Sequence, residues 1–219
     1  MANFATLLPE VHLRASGAPE AASLMALARA TETFCRESWA WQEEVDPLDM
    51  ELEDDVLTIE QADSSTVPVA VTALRVGGHL LAPVGESAFH AMRSDRPVWP
   101  PRGYYTTRPD TVLLLDPVAD ERIAWAIAEL QVTQALAPAP GATSVADFLI
   151  HTYAPALISG ALYYLATIPG APSNDPGSVA MYQKEFFAQI AMARRHRVAG
   201  YNVGTTRVRP TPLAMGSQA

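Results

Sequence analysis

The chain has 219 residues, 49% of them apolar and 18% charged, and a formal net charge of −9. That balance excludes an intrinsically disordered chain and leaves room for one fairly large domain or two small ones. The single cysteine, Cys35, excludes an internal disulfide framework and a cysteine-built zinc site, and it fits a reducing cytoplasm.

In chain order, "MANFATLLPEVHLR" has no basic-then-apolar layout, so no secretion signal is expected. The first predicted element is an amphipathic helix from Pro19 to Gln42. Pro19 suits its first position, and Leu24, Leu27, Ala28, Thr31, Phe34, Cys35 and Ser38 form its inward stripe. Trp39 and Trp41 are expected to cover the edge of the core, and Val45–Pro47 to stop the helix. From Val56 to Thr133 the period changes to two. Val56–Gln61, Val69–Val76 and Tyr104–Val118 read as strands, with hairpin turns at Gly77–Gly78 and Arg108–Asp110. Arg122–Thr133 is read as a further strand, because Ile123, Trp125 and Ile127 alternate with alanines. Gly85–Gly103 is predicted loop, with a short helix at Ala88–Arg93. The last third returns to helix. Ser144–Asp147 has capping-box spacing, Pro155 predicts a bend, and Pro169–Gly170 an end. The apolar run Ala154–Gly170 reads as a buried helix, since Pro155, Ser159, Gly160 and two tyrosines interrupt it. Asp175 then caps a last helix with Val179, Tyr182, Phe186, Ile190 and Ala193 inward, ending at Ala199–Gly200.

The expected fold is therefore α+β. A helical bundle lobe (1–48 and 140–200) combines the N-terminal helix with the C-terminal helix pair. An antiparallel β sandwich or barrel-like lobe (49–139) is inserted into it, and 201–219 forms an extended C-terminal arm.

Charge is polarised along the chain. Nine acidic residues between Glu43 and Glu60, among them Glu44 and Asp46, meet no Lys or Arg. Beyond Lys184 the order reverses, with Arg194, Arg195, Arg197, Arg207 and Arg209 facing only Glu185. Two readings stand open: a solvated acidic loop with an ordinary basic helix end, or acidic and basic patches that join copies head to tail. Under the second, Glu43, Glu44, Asp46, Arg194, Arg195 and Arg197 are the inter-subunit candidates.

Catalytic signals are missing from the pattern. The histidines at 12, 79, 90, 151 and 196 have no metal-ligand spacing, and no GxSxG, P-loop or GxGxxG occurs. Cys35 lies on the predicted apolar stripe and reads as a packed core thiol. The Asp46–Asp55 run lacks the layout of a calcium loop. "ARRHR" (193–197) offers a phosphate-binding patch or a solvated helix end, but no recognition helix accompanies it. No enzyme, cofactor or metal is expected.

Four phrases, in this order, carry a resemblance. They are "PEAASLMALARATETFCRESWAWQEEVDPL" (19–48), "VGGHLL" (76–81), "ALISGALYYLATIPGAPSNDPGSVAMYQKEFFAQIAMARRH" (156–196) and "RVRPTPL" (207–213). Together they resemble the head-to-tail adaptor (connector) family of tailed bacteriophages, the group that includes tail tubular protein A of short-tailed phages. The resemblance implies a structural virion protein made in the host cytoplasm. It implies a dodecameric ring of the chain with itself, docked between portal protein and tail or nozzle protein. Genomic DNA would pass through it without sequence recognition, and no membrane would be involved. It also implies a portal-binding arm at Arg207, Val208, Arg209, Pro210, Pro212 and Leu213. The competing readings are a neck, stopper or tail-completion protein of a related phage type, a cytoplasmic ligand-binding protein or enzyme, and a helical DNA-binding module.

Overall fold

The computed structural model describes residues 1–61, 63–93, 96–119, 122–169 and 174–199. Its class is mixed α+β: six α-helices and several mainly antiparallel sheets among the described residues.

Three long helices pack together, the first far in sequence from the other two. They are α2 (Glu20–Ser38), α5 (Asp147–Ala166) and α6 (Pro176–Ala199). On α2 the predicted inward face is inward: Leu27, Thr31, Phe34, Cys35 and Ser38 are buried, with Ala26 and Ala30 beside them, and Leu24 and Ala28 are half-buried. Two hydroxyls lie on that apolar face because they satisfy themselves locally. Thr31 Oγ1 donates to the Leu27 carbonyl at 2.8 Å and Ser38 Oγ to the Phe34 carbonyl at 2.6 Å. Pro19 stands just outside the helix, at its N-cap.

The helix ends earlier than expected, at Ser38 rather than Gln42. Trp39 turns left-handed, with φ of 53°, and returns its N–H to Cys35. The chain beyond it is drawn into a sheet as β2 (Gln42–Glu44), so Val45–Pro47 is not the stop.

Pro155 interrupts α5 as predicted. It has no N–H to give to His151, and Tyr153 leaves helical geometry (φ −120°, ψ 17°). Gly160 lies where all three helices converge. A Cβ there would stand 2.8 Å from Ala30 Cβ and 2.7 Å from the Phe186 ring, so only glycine lets the helices approach this closely. Asp175 caps α6: its Oδ1 accepts from the Gly177 amide at 3.2 Å, and Ser178 Oγ donates to Oδ2. Phe186, Ile190 and Ala193 complete the buried stripe, with Val179 and Tyr182 half-buried.

The capping box at Ser144–Asp147 does not form. Ser144–Val145 is instead a short strand (β11), paired with β1 (Ala2–Asn3) near the start of the chain, and no side chain caps α5. Residues before Pro19, for which no separate element was predicted, contribute α1 (Leu8–Arg14) and bury Phe4, Leu7, Leu8 and Val11 in the helical core.

The remaining strands form two sheets with a second core. One sheet has the order β2-β10-β5-β6, where β5 is Thr66–Val76, β6 His79–Leu80 and β10 Leu130–Pro138. The other runs β3 (Met50–Glu53), β4 (Val56–Ile59), β9 (Thr111–Leu114), β8 (Gly103–Arg108), β7 (Ala82–Pro83), with β7 parallel to β8. Gly77 and Gly78 both have positive φ, 54° and 83°, as a tight hairpin turn requires. The Arg108–Asp110 turn and a short helix, α3 (Glu86–Met92), are also where they were expected. Leu57, Val112 and Leu114 from one sheet and Leu74, Leu130 and Val132 from the other share the second core.

Two further readings need correction. Arg122–Thr133 is not one strand: α4 (Ile123–Glu129) comes first, and β10 starts at Leu130. Ile123, Ala126, Ile127 and Leu130 recur at helical spacing and meet the second core, while Trp125 is half exposed. The acidic run is not a plain loop either. In β3, Met50 and Leu52 point inward while Glu51 and Glu53 point out.

β10 belongs to both cores. Its start, Leu130 and Val132, lies in the second, and its end, Leu136 and Ala137, lies under α2 in the first. Register shifts at Thr133/Gln134 and Ala135/Leu136 turn the strand between the two.

Candidate assembly surfaces

The acidic candidates meet at one place. β2 is an edge strand, and its Glu43 and Glu44 are exposed. Charges on such an edge discourage strand addition. Glu43 is oriented by the Trp41 indole N–H, which donates to its Oε1 at 2.8 Å. Asp46 accepts from the Leu48 amide at 2.9 Å and so caps the short turn Pro47–Asp49. Glu60 and Asp63 close the other side of a cleft that Glu43, Glu44, Asp46 and Asp49 also line. Ser65 holds the Asp63 carboxyl below its ordinary pKa, chiefly through its hydroxyl and then through its amide. Six carboxyl side chains thus line one cleft.

The basic candidates sit elsewhere, at the end of α6. Arg194 pairs with Glu37 of the same chain at 2.7 Å, and its Nε donates to the Glu37 carbonyl. The Arg197 guanidinium lies 4.9 Å over the Trp39 ring. Arg195 is exposed. Within one chain, then, Arg194 and Arg197 meet the end of α2, not Glu43, Glu44 or Asp46. Both partners of the Arg194–Glu37 pair are about half exposed, so that bond is weak and exchangeable. The arm residues Arg207, Val208, Arg209, Pro210, Pro212 and Leu213 lie outside the described residues.

Two further surfaces were not foreseen. The first is an apolar groove of about 700 Å³. Ala22 and Met25 of α2, Tyr164 and Ile168 around the end of α5, Pro138 at the end of β10 and Pro140 just beyond it form its walls. Its lining is drawn from three segments that no local pattern links. The second is the outward face of α6. Opposite the buried stripe, Met181 (56% exposed), Phe187 (47%), Met192 (44%) and Val198 (78%) face away from the core. The sequence signal was present, since apolar residues go all round this helix and one core can cover only one side.

Two carboxylates are buried for structural reasons. Asp116 is fully buried. Desolvation pushes its pKa up, but the Arg102 side chain, the Arg102 amide and the Arg102 charge together outweigh this and leave it below the ordinary value. The same guanidinium donates to the Met92 carbonyl, which ties the end of α3 to the sheet. Asp55 forms an ion pair with Arg93, whose Nη2 lies 2.7 Å from its Oδ2. Burial pushes the Cys35 thiol far up, away from any nucleophilic form near neutral pH. Among the described residues no group of three His, Cys, Asp or Glu side chains is placed to hold a metal ion. α5 is long and apolar enough to cross a membrane by length and composition, and most of it is buried in the chain's own core. Compared with known proteins, the chain matches no family model, and a search of curated proteins finds no similar sequence.

Proposed function

We propose that this chain is a structural virion protein, a head-to-tail adaptor. It forms a dodecameric ring between the portal and the tail or nozzle of a tailed phage and gives passage to genomic DNA. The observation that carries the reading is the closure of α2 onto α5 and α6 around Gly160, with the strands from β2 to β10 falling between them in the chain. That is the order of elements expected from the adaptor resemblance. On this reading the helices are a bundle lobe (1–48 and 140–200), the strands a sandwich or barrel-like lobe (49–139), and 201–219 an arm for the portal.

Chemistry supports the same reading. The formal charge of −9 suits a conduit wall, because a negative surface repels phosphate and keeps DNA from sticking. The described surface features are clefts and faces fit for protein contact: an acidic edge, a basic helix end and an outward apolar helix face. A head-to-tail contact between unlike patches closes into a ring when the rotation per copy fits.

The test is size in solution with and without portal protein, by light scattering and electron microscopy. The expected result is a monomer or small oligomer alone and a ring with portal. A monomer indifferent to portal overturns the reading. Removal of residues 206–219 is expected to leave the circular dichroism spectrum unchanged and to abolish portal docking.

A further inference from the structure

Ring formation needs two unlike surfaces on each copy, and the structure carries a matching pair. One is the outward face of α6. Met181, Lys184, Ala188, Met192 and Arg195 follow one another three and four residues apart, all exposed, with Phe187 and Val198 alongside. The other is the apolar groove over α2, where Ala22, Met25, Arg29 and Glu32 make a line of the same spacing. Among the described residues the groove wall has none from α6, so one copy can offer both surfaces at once, as a head-to-tail contact requires.

Charge fixes the pairing. The groove and the acidic cleft adjoin along the end of β10. Pro138, in the groove wall, pairs with Thr66, which lines the cleft, and the Ala139 amide donates to the Ser65 carbonyl at 2.8 Å. A positive helix laid in the groove thus has a negative surface beside it. α6 is such a helix: its outward face carries Lys184 and Arg195, and Arg194 and Arg197 follow at its end. Apolar contact would supply the adhesion, and charge the direction and register.

Resting on the adaptor reading, we propose that the outward face of α6, from Met181 to Val198, seats in the apolar groove of the next copy. Its basic end lies toward that copy's acidic cleft.

The test is cross-linking in trans on the full chain, concentrated and also with portal added. Cys35 is buried and does not compete. A chain carrying Met25→Cys is expected to cross-link to one carrying Met181→Cys or Met192→Cys. M181E/M192E is expected to weaken self-association roughly tenfold or more while keeping the wild-type denaturation midpoint. Mixed with M25E, it should stop at a heterodimer, since one good contact remains. Three outcomes overturn the proposal. The first is rings that form with M181E/M192E unimpaired and no cross-link from Met25→Cys to either α6 position, in which case the adaptor reading survives. The second is a cross-link from Met25→Cys to Leu213→Cys instead, which gives the groove to the arm. The third is a wild type that stays monomeric with and without portal, and then the adaptor reading fails as well.

Discussion

Gly160 is a point of close helix approach in the helical core. Any side chain there meets Ala30 and Phe186 at under 3 Å, and neither can retreat from a closely packed interior. Gly160→Val is therefore expected to destabilise the protein by about 2 kcal/mol or more, read as a lower urea midpoint. Asp116 poses a different problem, a buried carboxylate whose partner, Arg102, is about half exposed. D116N removes the charge, and solvent at Arg102 limits the loss to roughly 1–2 kcal/mol. The sign of its pH dependence follows from the direction of the shift. A carboxyl whose folded pKa lies below the unfolded value, near 3.8, contributes stability above that value and loses it as pH falls through the folded one. The stability gap between wild type and D116N is thus expected to be constant near neutral pH and to shrink below about pH 4. Denaturation midpoints taken across that range check it. A gap that widens on acidification would mean that Asp116 is protonated in the folded protein.

Among the elements, the hairpin at Gly77–Gly78 turns on backbone alone, because both residues need a left-handed conformation. Replacing both by alanine is expected to cost roughly 1–2 kcal/mol per residue, measured by thermal denaturation, while Asn-Gly should be tolerated. This turn was legible in the sequence because glycine is the local cause of the geometry. The long helices were legible for a similar reason: Phe186, Ile190 and Ala193 recur at helical spacing behind an Asp-Pro start. α4 was not. Ile123, Trp125 and Ile127 fit an alternating pattern, while Ile123, Ala126, Ile127 and Leu130 fit a helical one. Burial of Ala126 with exposure of Trp125 decides between them. The end of α2 was set by tertiary pairing, since β10 claims Gln42–Glu44, and no residue near Trp39 announces that. Site residues followed the same division. Glu43, Glu44 and Asp46 could be picked by charge, and they do share one cleft. The groove could not be picked, because Met25, Pro138 and Tyr164 come together only in the fold.

At the scale of the whole molecule, charge is the property most open to experiment. Assembly driven by an acidic cleft and a basic helix end should weaken with salt, since exposed charges are screened beyond about 8 Å at physiological ionic strength. Assembly is expected to fall between 50 mM and 500 mM salt, followed by sedimentation. An assembly that strengthens with salt would point to apolar contact alone. β10 sets the remaining behaviour. A strand whose first half is rooted in one core and whose second half is rooted in the other cannot leave either without loosening both. The two cores should therefore melt as a single cooperative event, with no half-folded species between. Trp41 reports from the helical core and Trp99 from beside the other, so the fluorescence transitions of variants that keep only one or only the other tryptophan are expected to coincide in denaturant. In an assembled particle the same strand would make each copy respond to load as one rigid piece: a pull on the sheets is felt under α2.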